Sequence, residues 1–507
     1  MNLTLRGDYF NGKFTAKNGV SAQDIKNSNE QISKYCPGNI QHLLWDASIN
    51  YQNISPVIDS CVDGYKTWRK TSISDRINLL KKFGEIANDK KDHIAMAIAL
   101  ETGKPLWEAR TEASAIAAKV NVTITDSLKR VEQITINEVL PQIDGHIIYK
   151  PIGPTLVIGP YNFPCHLANG QILAALLTGN SIIFKPSEKT MYSSQMLIEC
   201  LHEAGFPKGV VNLINGTAKT TQDILKHPAI KGIFFTGSYA VGKKILEAVG
   251  CDITKLVALE LGGKNMSIIH KDTDITHAIP ELLRACYLST GQRCTSTSMV
   301  VIHKDIEQEF LDKFKAAAQR IIVDHPTIHS VDPFMGPLID QLAVDKFSAS
   351  LKLGEDNGAD VILANKSLDL AHKGHYLSPS IHYLKEVSKD NPFTQEEIFG
   401  PNCTFTPYSS IEEAIDIVNI SDYGLAAAIF TQDKDIYRAC LNDIDAGIIN
   451  LNRSTVGASS RLPFGGVKNS GNHHPAAVAM VDHTVSTLAS LETLDNSSKL
   501  EDVKGLK

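Results

Sequence analysis

Apolar residues between about residues 54 and 130 recur at spacings of three and four. The stretch "SPVIDSCVDGYKTWRKTSISDRINLLKKFGEIANDKKDHIAMAIALETGKP" also carries Ser and Asp at capping positions. That period predicts a mostly helical region. It changes at "RVEQITINEVLPQIDGHIIYKPIGP", where β-branched residues alternate with polar ones on both sides of Asp144-Gly145. This predicts an antiparallel excursion turning at the Asp-Gly pair. Its half-polar character calls for a covering partner, such as another subunit. From Pro154 the pattern becomes strand, turn, helix, repeated. "PTLVIG" leads into "ANGQILAALLTG", "SIIFK" into "MYSSQMLIECLHEAG", "VVNLI" into "TTQDILKHP" and "GIFFT" into "AVGKKILEAVG". Units of this size predict a parallel, doubly wound sheet of Rossmann type with helices on both faces. Ligands in such sheets bind beyond the carboxyl ends of the strands.

A second α/β alternation follows "LVALELGGKN". Its predicted strands are "NMSIIHK", "MVVIHK", "AAAIFT" and "AGIINLN", and its predicted helices "DITHAIPELLRACYLS" and "DIEQEFLDKFKAAAQR". The boundary between the two α/β regions is placed near Gly262-Gly263. From Asn472 to Leu494 β-branched alternation returns, as expected of a strand that pairs with the earlier excursion or with a neighbour. The N-terminal "MNLTLRGDYFNGKF" reads as a short strand and a turn.

Composition narrows the class. The chain has 507 residues, too many for one core. It is 43% hydrophobic and 21% charged, as expected of a globular protein, and its net charge of -6 gives no reason to expect nucleic acid or an anionic membrane as partner. Nine cysteines lie scattered without CxxC pairs or Cys/His metal spacing, which predicts a reducing compartment and no metal. With no apolar run of spanning length and no N-terminal apolar segment, a soluble cytoplasmic protein is expected.

Chemistry concentrates on the predicted strand ends. "FFTGSYAVGKKI" sets Gly237, Ser238 and Gly242 between a strand and a helix, where free N–H groups meet a phosphate. In "IIFKPSE", Lys185 stands where ribose or phosphate would lie. Glu188 suits the two hydroxyls of an adenosine ribose and repels a 2′-phosphate, so NAD is favoured over NADP. In "STGQRCTS", Cys294 beside Arg293 is a possible thiolate nucleophile, whereas Cys36, Cys61, Cys200, Cys286, Cys403 and Cys440 read as packed small residues. Glu260 ends an apolar strand in "VALELGGKN", a setting that raises a carboxyl pKa and suits a general base. Asn162 in "GPYNFPCH" offers an amide to an oxyanion. Taken singly, a salt bridge at Glu260 and a turn at Asn162 are the better readings.

Together, "GPYNFP", "FKPSE", "FTGS", "LELGGKN", "GQRCT" and "EEIFGP" resemble, in order, the motif series of the aldehyde dehydrogenase superfamily. The resemblance runs from about residue 50 to about residue 494. It implies an NAD-binding Rossmann-type domain of residues 1–128 and 149–261, a catalytic domain of residues 262–470, and oligomerisation segments at 129–148 and 471–507. It implies Cys294 as nucleophile, Asn162 with the Cys294 backbone N–H as oxyanion donors, and Glu260 as activator of water. Lys185 and Glu188 would hold the adenosine ribose, and Ser238 with Gly237 and Gly242 the pyrophosphate. Glu397 would hold the nicotinamide ribose, with Phe399 packing nearby.

The segments "GPYNFPCHLANGQILAALLTGN", "GASSRLPFGGVKNSGNHHP" and "ASLE" are most similar to the branch of that superfamily acting on N-succinylated glutamate semialdehyde in arginine breakdown. Such a substrate carries two carboxylates, and Arg453 and Arg461, with Ser459 and Ser460 between them, are the expected readers. The resemblance also implies a homodimer or homotetramer. Two rival readings remain at this point: another polar or aliphatic aldehyde as substrate, and a cysteine hydrolase using Cys294 with His166 and no nicotinamide cofactor.

Overall fold

The computed structural model describes residues 3–16, 30–328, 330–494 and 504–505. Two short strands, β1 (Tyr9–Phe10) and β2 (Lys13–Phe14), match the expected N-terminal turn. A two-stranded ribbon follows, β3 (Glu30–Cys36) with β4 (Asn39–Ile49), which the helical period downstream gave no reason to expect. Then come α1 (Ile54–Trp68), α2 (Ile73–Asp89), α3 (Lys91–Thr102) and α4 (Leu106–Val122). Ser72 caps α2 by accepting from Asp75 N, and Gly103 ends α3 in the left-handed conformation.

The excursion is the hairpin β5 (Ile134–Leu140) and β6 (Ile143–Pro151). Its turn is Pro141-Gln142, not the expected Asp144-Gly145, which lie inside β6. Pro141 has no N–H to give a ladder and is best placed in a turn. β6 is a central strand whose polar groups are needed on both sides, because β19 (Val485–Thr493) pairs with it antiparallel over nine residues. The returning C-terminal strand thus completes a three-stranded sheet, one of the two expected pairings.

The first large sheet is built from β7 (Thr155–Ile158), α5 (His166–Thr178), β8 (Ile182–Lys185), α6 (Met191–Ala204), β9 (Val211–Leu213), α7 (Ala218–Leu225), β10 (Gly232–Thr236), α8 (Tyr239–Val249) and β11 (Leu256–Glu260). Its strand order is β11-β10-β7-β8-β9, parallel throughout, with β1 and β2 added antiparallel at the edge. Every residue of β7, β8, β9 and β10 is buried, which is why these strands read as continuous apolar runs. The strand order reverses between β7 and β10, so a crevice opens beyond their carboxyl ends.

The second sheet takes β12 (Asn265–Ile269), α9 (Ile275–Tyr287), β13 (Thr297–His303), α10 (Glu307–Ala318), α11 (Gln341–Asp356), β14 (Ala359–Leu363), β15 (Ser380–Leu384), β16 (Asn402–Tyr408), β17 (Ala426–Phe430) and β18 (Ile448–Leu451). Its order is β14-β15-β16-β13-β12-β17-β18, with only β14 antiparallel. Gly262 and Gly263 lie in the link between the sheets. No helix among the described residues is long and apolar enough to cross a membrane.

Candidate active site

A cleft of ≈ 1280 Å³ runs along the carboxyl ends of the first sheet and is walled on its far side by α11. Asn162, Lys185, Glu188, Gly237, Ser238, Glu260, Cys294, Glu397 and Phe399 all line it, whereas Gly242, one turn into α8, is packed against Leu261 instead. Those of the first sheet arrive from a strand end or the loop beyond it, whereas Cys294, Glu397 and Phe399 come from the segments leading into β13 and β16. Lys185 closes β8, Ser238 caps α8 directly after β10, and Glu260 closes β11.

Cys294 enters on a strained loop. Ser289, Thr290 and Gly291 are all left-handed, with φ of 53°, 57° and 71°. Such a run persists only where the surroundings hold it. Here Glu108 accepts from Ser289 N (3.1 Å) and the Ser289 hydroxyl, and Thr290 Oγ1 donates to Gly336 O (2.8 Å). Arg293 turns toward the same Glu108, forming a buried ion pair. Burial pushes the Cys294 thiol well above its ordinary range. Glu260 and Glu397 add to this, and Arg293 opposes it.

Glu260 is fully buried. Burial, then the charge of Glu397, pushes its carboxyl up to about 8, with the adjacent Cys294 thiol opposing. Neither carboxyl oxygen is held by any other described group. An unheld, buried carboxyl beside a thiol is free to exchange a proton with something in the cleft. Asn162 Nδ2 donates to Gln292 O at 2.9 Å, two residues before the cysteine. An amide nitrogen carries two protons, so the second stays available to an oxygen bound at the sulfur.

The other half of the cleft suits a dinucleotide. α8 starts at Ser238 with no side-chain cap, leaving its first N–H groups open to an anion. Lys185 Nζ donates to Pro186 O (2.8 Å) and lies 3.7 Å from Glu188, whose side chain remains 42% exposed at the rim. Glu397 accepts from Gly263 N at 3.3 Å, and burial pushes it up to about 7. Gly262 is fixed by this carboxylate, since a Cβ there would lie 2.3 Å from Glu397 Oε2.

The segment expected to read substrate carboxylates falls outside the cleft. Arg461 is exposed and ion-paired with Asp126 (2.7 Å), and Arg453 is exposed and bonded to Gly457 O (3.1 Å). Ser459 is also exposed, whereas Ser460 lines a separate small cleft against α4.

The sequence pattern of the aldehyde dehydrogenase family matches residues 25–488. The N-succinylglutamate 5-semialdehyde dehydrogenase of Novosphingobium aromaticivorans is 36% identical over 449 residues, 89% of this chain and 93% of that protein. This chain belongs to the aldehyde dehydrogenase family. A second relative of the same name, from Legionella pneumophila, is 34% identical over 96% of this chain and 95% of its own. Among solved structures, a putative aldehyde dehydrogenase of Burkholderia cenocepacia superposes with a TM-score of 0.89 at 26% identity, covering 98% of this chain and 99% of its own. The betaine aldehyde dehydrogenase of Staphylococcus aureus gives 0.90 at 25%, covering 99% and 97%.

Membership in this aldehyde dehydrogenase family disfavours the hydrolase reading, and His166 does not line the cleft that holds Cys294. His166 Nδ1 is buried without a partner among the described residues, and burial with three nearby cations pushes the ring well below its ordinary pKa.

The sequence reading missed a set of buried charges behind the loop. Lys104 Nζ donates to Asn162 O (2.6 Å) and pairs with Glu112 at 2.7 Å. Glu112 in turn accepts from Cys165 N and His166 N, both at 3.1 Å. Glu108 and Glu112, one turn apart on α4, therefore secure the nucleophile loop and the Asn162 loop to a single helix. Their spacing was the available signal, four residues apart on the face that also carries the buried Ala109, Ala113 and Ile116.

Proposed function

We propose that this chain oxidises N-succinyl-L-glutamate 5-semialdehyde to N-succinyl-L-glutamate, using NAD and a cysteine thioester. The carrying observation is the convergence of Cys294, Glu260 and Asn162 on one end of a cleft whose other end suits a dinucleotide. The substrate follows from the relatives that share most of the chain's length.

Cys294 Sγ attacks the aldehyde carbon, and its proton passes to solvent in the cleft. The new oxyanion takes the free N–H of Asn162 and the Cys294 backbone N–H. Bound NAD supplies the hydride acceptor. Its pyrophosphate would lie at the start of α8, its adenosine ribose on Lys185 and Glu188, and its nicotinamide ribose on Glu397, with Phe399 packing nearby. Glu260, once ionised, removes a proton from water, and that water attacks the thioester and frees Cys294. We further propose that the division into residues 1–128 with 149–261 and 262–470 reflects cofactor and catalytic units. The three-stranded sheet, with six large apolar side chains exposed on and beside it, serves homo-oligomerisation.

The test is NADH production over a panel of aldehydes that includes the succinylated semialdehyde. That substrate should give the highest kcat/KM, and Cys294→Ala should lose several orders of magnitude while keeping its affinity for NAD. A better small aliphatic substrate would refute the substrate assignment. Substantial turnover by the folded alanine variant would refute the chemistry.

A further inference from the structure

The charges behind the Asn162 loop do not balance. Arg293 pairs with Glu108, and Lys104 with Glu112. Lys119, on the same inward side of α4, makes no ion pair among the described residues. Its one hydrogen bond among them is to His166 O, at 2.7 Å. The residue is only 7% exposed. An ammonium carries three donors, so two stay unspent in a buried place, at real energetic cost. Burial pushes Lys119 down to about 7, with Glu112 opposing, as expected of a cation short of a counter-charge.

The surroundings leave room for one. Lys119 lines a small, partly open cleft with Thr123, Ser127, Gly170 and Ser460, which has ≈ 10 Å³ free, about the room of one water. Gly170 lies inside α5, where glycine costs about 1 kcal/mol relative to alanine. A Cβ there would sit 3.0 Å from Lys119 Nζ, so the missing side chain is what keeps the ammonium in place. Ser460 belongs to the segment expected to face the substrate, and the Arg461–Asp126 pair stands beside it. His166, whose carbonyl holds Lys119, packs edge-on against Phe163, directly after Asn162. Leu167 lines the large cleft one turn before Gly170 on α5, so the small cleft adjoins the cysteine-bearing cleft across the start of that helix, next to the loop that carries the oxyanion donor.

We propose that Lys119 is the specificity-determining cation of this enzyme, taking a carboxylate of the aldehyde substrate. An arriving carboxylate occupies the unspent donors, with the hydroxyls around the cleft beside it. It also removes the penalty that an unpaired buried ammonium carries. This rests on the reading of the substrate as a carboxylated aldehyde, and replaces Arg453 and Arg461 as its readers.

The test compares wild type with Lys119→Met, which keeps the side-chain length but loses the charge. Rates are measured on hexanal, succinate semialdehyde and N-succinylglutamate semialdehyde, with NAD affinity checking the fold. Wild type should favour a carboxylated aldehyde over hexanal, and the variant should lose at least tenfold of that preference, through KM. A wild type that prefers succinate semialdehyde, with the preference lost in the variant, refutes the succinylated substrate but keeps Lys119. A wild-type preference that survives in Lys119→Met overturns the inference alone. No preference for any carboxylated aldehyde overturns both.

Discussion

Cys294 shows what a short motif carries and what it leaves out. The residues of "GQRCT" mark a nucleophile, yet the neighbouring Arg293 does less for the thiol than its position suggests, because its guanidinium is spent on Glu108. The nearer influence is Glu260, whose carboxyl lies at about 8. A base acts only when ionised, so thioester hydrolysis should accelerate as pH rises through about 8. The limb should vanish in Glu260→Gln. In that variant the first turnover still proceeds, so rapid mixing should show a burst of NADH near one per site followed by slow release. A slow, burst-free trace would give Glu260 an earlier role. Glu188 supports a second residue-scale expectation. With its carboxylate exposed at the cleft rim, a 2′-phosphate meets like charge, worth on the order of 1–3 kcal/mol. NAD should be preferred over NADP by about ten- to a hundredfold in kcat/KM. Glu188→Gln should narrow that ratio, and an unchanged ratio would remove Glu188 from cofactor choice.

At the scale of elements, the buried parallel strands were legible because their apolar runs allow few alternatives, and so was the alternation that set the cofactor cleft at their carboxyl ends. Three things were not. The β3–β4 ribbon was passed over, although "EQISKYC" and "NIQHLLWDASI" flank a Pro-Gly pair. The hairpin turn moved from Asp144-Gly145 to Pro141-Gln142, because two partners of β6 outweigh a local turn preference. The charges of α4 were invisible because helical period was read only from apolar residues. Glu108 and Glu112 stand four residues apart with Lys119 seven further on, and only the fold reveals that this face of α4 is buried. The link Gly262-Gly263 is an element whose sequence is dictated by a neighbour. In Gly262→Ala the new methyl must displace the Glu397 carboxyl, which lies 2.3 Å from the ideal Cβ position. The KM for NAD should rise about tenfold, and overpacking should cost about 1–3 kcal/mol. A KM equal to that of wild type would take Glu397 out of the cofactor site.

For the whole molecule, the two large sheets account for the cleft, but they leave the third sheet without a role inside one chain. Every residue of β5 is exposed, and β19 is largely so. The registers put apolar residues in rows across the three strands. Ile134 stands opposite Ile147 and then Ala489, and Ile136 opposite Gly145 and then Leu491. Residues directly opposite one another share a face, so these rows form one apolar surface. Ile136 is 47% exposed on it and Leu491 is 63% exposed. Contiguous apolar surface of this kind marks an association site. If the sheet joins subunits, wild type should sediment as a homo-oligomer. Ile136→Lys with Leu491→Lys should then release smaller species, because two charges on one face are costly to bury and each would meet its like across a symmetric interface. The cleft lies elsewhere on the chain, so NAD binding should report that the dissociated subunit remains folded. A double variant that sediments as wild type would move the subunit contact away from this sheet, and a monomeric wild type would leave the exposed rows without the partner proposed for them.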